Sequence, residues 1–177
     1  TEENMKYALV VASENLSRIT DFTDRGTCIL FGDGASASII EKSDKLYSSY
    51  LASDGSGARL LFARCINRKE EFADSTQFDD GFADPKMHGL VQNGKEVYKF
   101  ATKALPKALE CAAEKINMTA GDIDVIVPHQ ANLRIIETAA KNMKVSMDKI
   151  VVTLDHNGNT SSASVPLAFD EALENCR

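Results

Sequence analysis

Two hydrophobic patterns alternate along the chain: short apolar runs, and longer segments in which apolar residues recur every three or four positions. Short apolar runs are typical of buried strands, and they predict strands at 7–12, 27–31, 35–40, 46–52, 123–127 and 150–154. The longer segments predict amphipathic helices at 95–116, 133–143 and 162–175. Pro106 interrupts the first of these, so we expect a kink there or two abutting helices. This alternation of strands and helices indicates an α/β fold.

Two predicted units, at 124–132 and 151–160, each run from a strand through a polar turn into a helix. Consecutive units of this kind give parallel strands, so both turns should open at the same sheet edge, where open α/β sheets bind ligands. The first turn carries His129 and the second carries Asn159. A neutral imidazole and a carboxamide that converge on one point supply two hydrogen-bond donors, as an oxyanion or a thioester enolate requires.

Other histidines compete with this assignment. His156 lies between Asp155 and Asn157, which favours an exposed or turn-stabilising role. Only the geometry of the turns distinguishes it from His129. His88 lies in a polar segment and has no partner in sequence, which indicates a surface residue. None of the three histidines has a carboxylate or thiol at the spacing of metal ligands, so no metal site is predicted.

The remaining stretches predict turns and loops. The Gly-Asp-Gly junction at 32–34 is typical of a tight turn. A phosphate-binding loop is the alternative there, but no helix with a Lys-Ser or Lys-Thr start follows it. Residues 64–94 form a polar, charge-rich segment, and a loop of this length is usually functional, disordered or composed of short elements.

Composition narrows the class of protein. The chain has 177 residues, of which 44% are hydrophobic and 26% charged, as in an ordered globular protein. The net charge of -6 disfavours nucleic acid as a partner. No apolar run approaches the roughly 18 to 20 residues of a membrane span, and the polar N-terminus does not resemble a signal peptide. Four widely spaced cysteines are typical of reduced thiols, so we expect a cytoplasmic protein without a membrane partner.

One predicted helix face is basic although the chain is acidic. Arg134 and Lys141 are seven residues apart and share a face of the helix after His129, with Lys144 close by. Such a patch is usually a solvated face. Beside a binding site, it would also attract an acidic partner.

Several motifs together resemble a known family. Residues 127–135 are Val-Pro-His-Gln-Ala-Asn-Leu-Arg-Ile, and residues 158–166 are Gly-Asn-Thr-Ser-Ser-Ala-Ser-Val-Pro. Further matches are Thr-Asp-Arg-Gly-Thr at 23–27, Phe-Gly-Asp-Gly-Ala at 31–35 and Gly-Lys-Glu-Val-Tyr-Lys at 94–99. In this order, and over nearly the whole chain apart from the polar segment, they resemble β-ketoacyl-acyl-carrier-protein synthase III, the condensing enzyme that initiates type II fatty-acid synthesis.

The resemblance implies a thiolase-like layered fold (α/β/α/β/α) and a catalytic Cys-His-Asn triad, in which His129 and Asn159 are the His and the Asn. Both side chains would donate hydrogen bonds to a malonyl thioester carbonyl and stabilise the enolate left when carbon dioxide departs. The enolate would then attack an acyl group held on the cysteine. The implied reaction is a decarboxylating Claisen condensation of an acyl-coenzyme A primer with malonyl-acyl-carrier protein.

The resemblance also assigns binding residues. Arg25 matches the arginine that holds the coenzyme A nucleotide, by stacking on adenine. Ala131 and Asn132 match residues that line the pantetheine tunnel. Arg134 and Lys141 match positions that dock the acyl carrier protein, in agreement with the basic face. The family further implies coenzyme A thioesters as substrates, no permanently bound cofactor and a homodimer.

One part of the family pattern is not found. The nucleophile of the family lies in an Ala-Cys-x-Gly-Phe-like context at the start of a helix, whose positive end lowers the pKa of the thiol. That context is absent at Cys28, Cys65, Cys111 and Cys176. In the family the nucleophile precedes the Asp-Arg-Gly-Thr motif, so the resemblance implies that it lies before Thr1. The resemblance also implies that the last glycine-rich strands of the family follow the final helix. The chain then resembles a C-terminal portion of the enzyme, incomplete for acyl transfer.

The expected domains follow from this resemblance. Residues 1–63 would form the end of the N-terminal thiolase-like half with its crossover strands, 64–94 a polar loop or linker, and 95–177 the C-terminal half with the His and Asn. Two alternatives stay open: another thiolase-superfamily enzyme that condenses coenzyme A thioesters, and a non-catalytic carrier-protein-binding domain. The sequence around the nucleophile would discriminate the first, whereas the full contexts of His129 and Asn159 argue against the second.

Overall fold

The computed structural model describes residues 5–63 and 89–175. Within these ranges the strands are β1 (Tyr7–Glu14), β2 (Gly34–Glu41), β3 (Leu61–Ala63) and β4 (Leu90–Gln92). The α-helices are α1 (Gly94–Glu114), α2 (Leu133–Met143), α3 (Leu154–Asn157) and α4 (Ser164–Glu174). Short 3₁₀ turns lie at Leu16–Arg18, Gly55–Gly57, Ala120–Asp122, Met147–Lys149 and Ser161–Ala163. His88, Cys65, Cys176 and most of the predicted polar segment lie outside the described residues.

Two antiparallel strand pairs occur in the first half of the described chain. β1 pairs with β2, starting with Tyr7 opposite Glu41, which confirms strands at 7–12 and 35–40. The prediction that the apolar run at 7–12 is a buried strand is wrong, because the pair is antiparallel and most of its residues are exposed. β3 pairs with β4, and this pairing brings together the two flanks of segment 64–88.

The strand predicted at 27–31 is reduced to a single parallel bridge between Phe31 and Asn159, because residues 24–30 fold into consecutive turns. The carboxylate of Asp24 accepts hydrogen bonds from the N–H of Gly26 and the hydroxyl of Thr27, both at 2.8 Å. Local bonds from Asp and Thr side chains compete with a strand ladder. They bend this segment although its composition is apolar.

The strand predicted at 46–52 is also wrong. Residues 46–54 run along α1 without regular secondary structure. The hydroxyl of Ser48 donates to the C=O of Ala112 (2.6 Å), and the ammonium of Lys115 donates to the C=O of Ser49 (2.7 Å). The segment is therefore held by a helix, and no strand of the described residues pairs with it.

Pro106 lies inside α1, which continues through it as one helix of 21 residues rather than as two abutting helices. Proline has no N–H for the C=O of Thr102, four residues earlier. The side-chain amide of Asn142 on α2 donates to that C=O instead (3.1 Å). This substitute bond explains why the helix tolerates the proline. Neither α1 nor any other helix in the described ranges has the length and apolar character to cross a membrane.

The other two long helices agree with the sequence. α2 has the predicted bounds, 133–143, and ends at Lys144, which adopts a left-handed conformation (φ 57°). α4 lies within the predicted 162–175 and follows the 3₁₀ turn Ser161–Ala163.

The strands predicted at 123–127 and 150–154 are reduced to a single parallel bridge between Ile126 and Ile150. The N–H of Val151 donates to the C=O of Ile126 at 2.9 Å. The predicted parallel arrangement is therefore confirmed, but the pairing is much shorter than predicted.

Helices cover both sides of this bridge. Ile126 and Ile150 pack in one core with α2, and partly buried leucines of α1 lie against it. Val127 and Val151 follow Ile126 and Ile150 in the two bridged segments. They pack with Ala168 and Ala172 of α4 in a second core. Successive residues in extended chain face opposite sides, so the bridge forms the middle layer between α1–α2 and α4.

Candidate active site

The side chain of Gln130 takes the place of the next bonds in the parallel ladder. Pro128 has no N–H with which to continue the ladder. Instead, Gln130 Nε2 donates to the C=O of Val151 (3.1 Å) and of Pro128 (2.9 Å), while its Oε1 accepts from the N–H of Thr153 (2.9 Å). Gln130 is fully buried. The strand predicted at 150–154 ends early for this reason. Beyond the Ile126–Ile150 bridge, the two extended segments are joined by the Gln130 side chain and no longer by backbone bonds.

In sequence, His129 lies between the Ile126–Ile150 bridge and α2. One edge of its imidazole ring is held by a hydrogen bond. Its Nδ1 is 2.6 Å from the Oγ of Ser164, the first residue of α4. The residue keeps an exposed surface, and Nε2, at the opposite edge of the ring, is left for a ligand. Partial burial lowers the pKa of His129 below its usual 6.5, so the imidazole is neutral at pH 7.

Asn159 is 8% exposed and is fixed by both its backbone and its side chain. Its N–H donates to the C=O of Leu30 (3.1 Å), and its C=O accepts from the N–H of Gly32 (2.9 Å). Its Oδ1 accepts from the N–H of Ser161 (3.0 Å). The side-chain Nδ2 is thereby left as the donor for a ligand.

Residues 32–34, predicted as a tight turn, hold the Asn159 turn in place. A Cβ added at Gly32 would lie 2.6 Å from the C=O of Asn157, so a side chain does not fit without a backbone shift. Asp33 accepts hydrogen bonds from the hydroxyl (2.6 Å) and the N–H (2.8 Å) of Ser17. These bonds lower the pKa of Asp33 below its usual 3.8 and anchor the segment on its other side.

The start of α4 connects the two turns. Ser164 Oγ contacts His129 Nδ1 (2.6 Å) and the C=O of Ser161 (2.8 Å), and the N–H of Ser161 contacts Asn159 Oδ1 (3.0 Å). A neutral imidazole and a carboxamide held in one hydrogen-bonded chain are suited to donating two N–H groups to a carbonyl oxygen that gains negative charge.

Two clefts in the described part of the chain lie elsewhere. One, of about 490 Å³, is lined by residues 124–125, 147–149 and 151, and the other, of about 600 Å³, lies between residues 50–54 and α1. Neither is lined by His129 or Asn159. The candidate site is therefore described by its hydrogen-bonded groups.

His156 has different surroundings from His129. Its Nε2 contacts the carboxylate of Glu171 and its Nδ1 that of Asp155, both at 2.8 Å. Hydrogen bonding to Glu171, and then to Asp155, raises the pKa of His156 above its usual 6.5. This geometry favours the turn-stabilising role for His156, because its two ring nitrogens are both engaged.

The residues assigned to coenzyme A lie in two places. Arg25 is exposed in the turns at 24–30, and no contact among the described residues joins it to His129. Asn132 caps α2, because its Oδ1 accepts from the N–H of Arg134 at 2.9 Å. Ala131 is half-buried beside it. The structure therefore gives Asn132 a helix-capping role that the sequence analysis did not foresee.

The basic face of α2 is exposed. Arg134 and Lys141 both lie on the solvent side, opposite the buried positions of the helix. Lys144 is also exposed and directly follows the helix. Because α2 begins three residues after the His129 turn, this face lies on the element that follows the candidate site.

Gln130, Ser164 and Gly32 were named from sequence only as members of motifs. The contacts that reveal their roles join residues far apart in sequence. Gln130 and Thr153 are 23 positions apart, and His129 and Ser164 are 35 positions apart. Hydrophobic periodicity carries no information on such pairs. One local signal was present: a proline that ends a strand leaves carbonyl groups for a nearby polar side chain.

Comparisons with known proteins identify the family of the chain. Residues 113–177 match the family model described as 3-oxoacyl-[acyl-carrier-protein] synthase III C terminal, and residues 1–55 match that of 3-oxoacyl-[acyl-carrier-protein] synthase III. A relative from Clostridium acetobutylicum, named β-ketoacyl-[acyl-carrier-protein] synthase III, is 46% identical over 168 residues, which are 94% of this chain and 50% of the relative.

Solved structures give the same result. The β-ketoacyl-[acyl-carrier-protein] synthase III of Thermus thermophilus has a TM-score of 0.81 and 38% identity, with 97% of this chain and 51% of that chain covered. The priming β-ketosynthase of the R1128 polyketide biosynthetic pathway has a TM-score of 0.73 and 35% identity, with 94% and 48% covered.

The chain spans about half the length of the curated relatives it matches. Its similarity to the solved synthases confirms the predicted α/β, thiolase-like class. The two family models match residues on either side of segment 56–112, and the His129 and Asn159 turns both lie in residues 113–177, which match the C-terminal model. The chain therefore belongs to the β-ketoacyl-[acyl-carrier-protein] synthase III family.

Proposed function

We propose that the protein carrying this chain joins an acyl-coenzyme A primer to malonyl-acyl-carrier protein by a decarboxylating Claisen condensation, the first step of fatty-acid synthesis. The observation that carries the proposal is the hydrogen-bonded chain from His129 through Ser164 and Ser161 to Asn159. It holds two side chains whose free N–H groups suit a thioester oxygen.

The chemistry follows from these donors. The malonyl thioester oxygen accepts hydrogen bonds from His129 Nε2 and Asn159 Nδ2. As carbon dioxide leaves, the electron pair of the broken C–C bond moves into the thioester and puts negative charge on that oxygen. The depressed pKa of His129 keeps the ring neutral at pH 7. The neutral ring therefore donates through a single N–H and brings no positive charge of its own to the site.

Carbon–carbon bond formation needs an acyl thioester on the enzyme. The enolate carbon attacks the acyl carbonyl carbon, and the cysteine leaves as a thiolate. Cys28 lies in the turns at 24–30 and Cys111 lies in α1, and neither has the family context of the nucleophile. We assign the nucleophilic cysteine to the half of the relatives that this chain does not span.

The basic face of α2 is proposed to dock the acyl carrier protein. Arg134 and Lys141 are exposed, and α2 starts next to His129. Charge at the rim of an interface mainly steers encounter. Replacing both residues with Glu should therefore raise the KM for malonyl-carrier protein at low salt while leaving malonyl-coenzyme A decarboxylation unchanged. The same change at exposed Lys45 is the matched control.

Coenzyme A is proposed as the carrier of the primer, without a permanently bound cofactor. Exposed Arg25 is proposed to stack on adenine, and Ala131 and Asn132 to line the path of the pantetheine arm. We further propose that the intact protein is a cytoplasmic homodimer with the domain division given above.

The direct test is to incubate the intact protein with acetyl-coenzyme A and malonyl-carrier protein and to measure β-ketoacyl-carrier protein. The expected result is a ketoacyl product with release of one carbon dioxide per condensation. The absence of product with this primer and with longer acyl-coenzyme A primers would contradict the proposal.

A second condensing function is supported by the 35% identity to a priming ketosynthase of polyketide biosynthesis. That alternative uses the same His–Asn chemistry with another coenzyme A thioester. Competition between acetyl-coenzyme A and other acyl-coenzyme A primers in one assay separates the two, because the preferred primer has the highest kcat/KM.

A further inference from the structure

The Oγ of Ser164 has three polar neighbours but only one proton to donate. His129 Nδ1 is 2.6 Å away, the C=O of Ser161 is 2.8 Å away and the N–H of Gln130 is 3.3 Å away. The Gln130 N–H is a donor, so the hydroxyl accepts from it. The hydroxyl proton therefore goes either to the imidazole or to the Ser161 carbonyl.

The Ser161 carbonyl does not depend on this proton. It already accepts a hydrogen bond from the backbone N–H of Ser164 itself. His129 Nδ1 has Ser164 Oγ as its only hydrogen-bond partner among the described residues, and this contact is the shorter of the two. If the hydroxyl donated to Ser161 instead, Nδ1 would carry the ring proton, and Nε2, on the edge left for a ligand, would have none. Both considerations favour donation to the imidazole.

We propose that Ser164 is a positioning residue that donates its hydroxyl proton to Nδ1 of His129. The neutral ring then carries its single N–H at Nε2, on the edge left for a ligand. Of the two neutral tautomers, only this one offers a donor to a thioester oxygen. The inference rests on the proposed function for its role in catalysis, but the tautomer itself is a property of the protein without substrate.

The surroundings make Ser164 a rigid support. It is 2% exposed and is the first residue of α4, with fully buried Ala163 before it. The N–H of Gln130 fixes one lone pair of the hydroxyl, and Gln130 is itself held between the two strand ends. The ring of His129 is therefore held by the same group of residues that ends the parallel ladder.

The first test measures the tautomer directly in the intact protein. Long-range ¹H–¹⁵N correlation spectra distinguish a protonated from an unprotonated ring nitrogen, and the His129 signals are assigned by their loss in His129→Gln. Above the pKa of the ring, the expected result is a proton on Nε2 and none on Nδ1. A neutral ring with its proton on Nδ1 would overturn the proposal without any change at Ser164.

The second test removes the hydroxyl. In Ser164→Ala, Nδ1 loses its donor, so the tautomers should mix and malonyl decarboxylation should fall on the order of a hundredfold, as expected for a misplaced catalytic group. Ser164→Cys retains a weak donor of similar shape and should keep part of the activity. Ser162→Ala, in the same turn, is the control, since its hydroxyl contacts Glu14 and not the imidazole.

The two tests separate this inference from the proposed function. If the unmodified protein decarboxylates malonyl thioester and Ser164→Ala changes neither tautomer nor rate, the role of Ser164 is wrong and the function stands. If the unmodified protein shows no decarboxylation while Ser164→Ala mixes the tautomers, the proposed function fails and the placement of the proton stands. Failure of Ser164→Ala to fold leaves the tautomer measurement and Ser164→Cys as the deciding results.

Discussion

Gln130 and Thr153 are joined by a hydrogen bond from the backbone N–H of Thr153 to the side-chain Oε1 of Gln130, at 2.9 Å. A side chain thus occupies the position that a backbone carbonyl would take in a continuing ladder. The other end of the same amide donates to Val151 and to Pro128. The two strand ends are held apart yet fixed relative to each other, and the His129 and Asn159 turns begin there.

Replacing Gln130 should therefore destabilise the protein and misplace the site. In Gln130→Ala, two carbonyl groups and one N–H are left buried without partners, each at a cost of about 1–3 kcal/mol. We expect a free energy of unfolding lower by about 3 kcal/mol or more, measured by urea denaturation of the intact protein, together with loss of condensation.

Gln130→Glu is the matched comparison. A carboxylate still accepts from Thr153 but cannot donate to the two carbonyls, and it places a charge in a fully buried position. It should be at least as damaging as Gln130→Ala. A stability within about 0.5 kcal/mol of the unmodified protein for either variant would show that the amide does not hold the strand ends.

Asn142 and Pro106 should be coupled energetically. Asn142→Ala removes the donor to the C=O of Thr102 and should cost about 1 kcal/mol. In the Pro106→Ala background, the helix supplies its own N–H to that C=O, and Asn142→Ala should cost almost nothing. Urea unfolding of the four proteins in a double-mutant cycle measures the coupling. Equal costs in the two backgrounds would contradict the substitute bond.

Gly32→Ala should disturb the Asn159 turn. The added Cβ would lie 2.6 Å from the C=O of Asn157, so the two segments must separate, at an expected cost of about 1–3 kcal/mol. Decarboxylation should fall more than primer acylation, because the Asn159 donor is displaced. Gly55→Ala is the control, since no atom lies within 4 Å of its added Cβ. Equal effects of the two substitutions would rule out this role for Gly32.

His156 and His129 should titrate on opposite sides of 6.5. The pKa of His156 is raised by Glu171 and Asp155, whereas burial lowers that of His129. The stabilising effect of His156 is therefore fully present below its unfolded pKa of about 6.5 and is lost as the pH rises through its folded pKa. The difference in unfolding free energy between the unmodified protein and His156→Gln should shrink with rising pH, and NMR titration should order the two pKa values. A constant difference, or the reverse order, would contradict the assigned contacts.

Long periodic segments and ordered motifs were predictable from the sequence, whereas short strands were not. α2 has the predicted bounds because its apolar stripe is a local feature. The strand predicted at 27–31 failed because Asp24 organises its own turn. The strand predicted at 150–154 failed because a side chain from a distant residue, Gln130, replaces its partner. Such replacement depends on tertiary contacts, which a single sequence pattern does not encode.

Motifs identified His129 and Asn159 as candidates, but the groups that hold them came only from the structure. In the sequence, Ser164 is only one residue of a motif. In the structure, its Oγ lies 2.6 Å from Nδ1 of His129. Likewise, Gly32 was interpreted only as a turn residue. Its backbone proves to be one side of the Asn159 turn. The catalytic roles of His129 and Asn159 stay predictions. So do the binding and docking roles, which were assigned to Arg25, Ala131, Asn132, Arg134 and Lys141.

The central claim is that His129 and Asn159 stabilise the enolate formed from the malonyl thioester. The most direct measurement is release of carbon dioxide from malonyl-carrier protein by intact His129→Ala and Asn159→Ala variants, alongside acylation of the protein by labelled acetyl-coenzyme A. Loss of one such donor typically lowers the rate by about 10²–10³-fold. We expect a loss of that size in decarboxylation with acylation retained, and no loss in His156→Ala. Unchanged decarboxylation, or loss of acylation alone, would contradict the account.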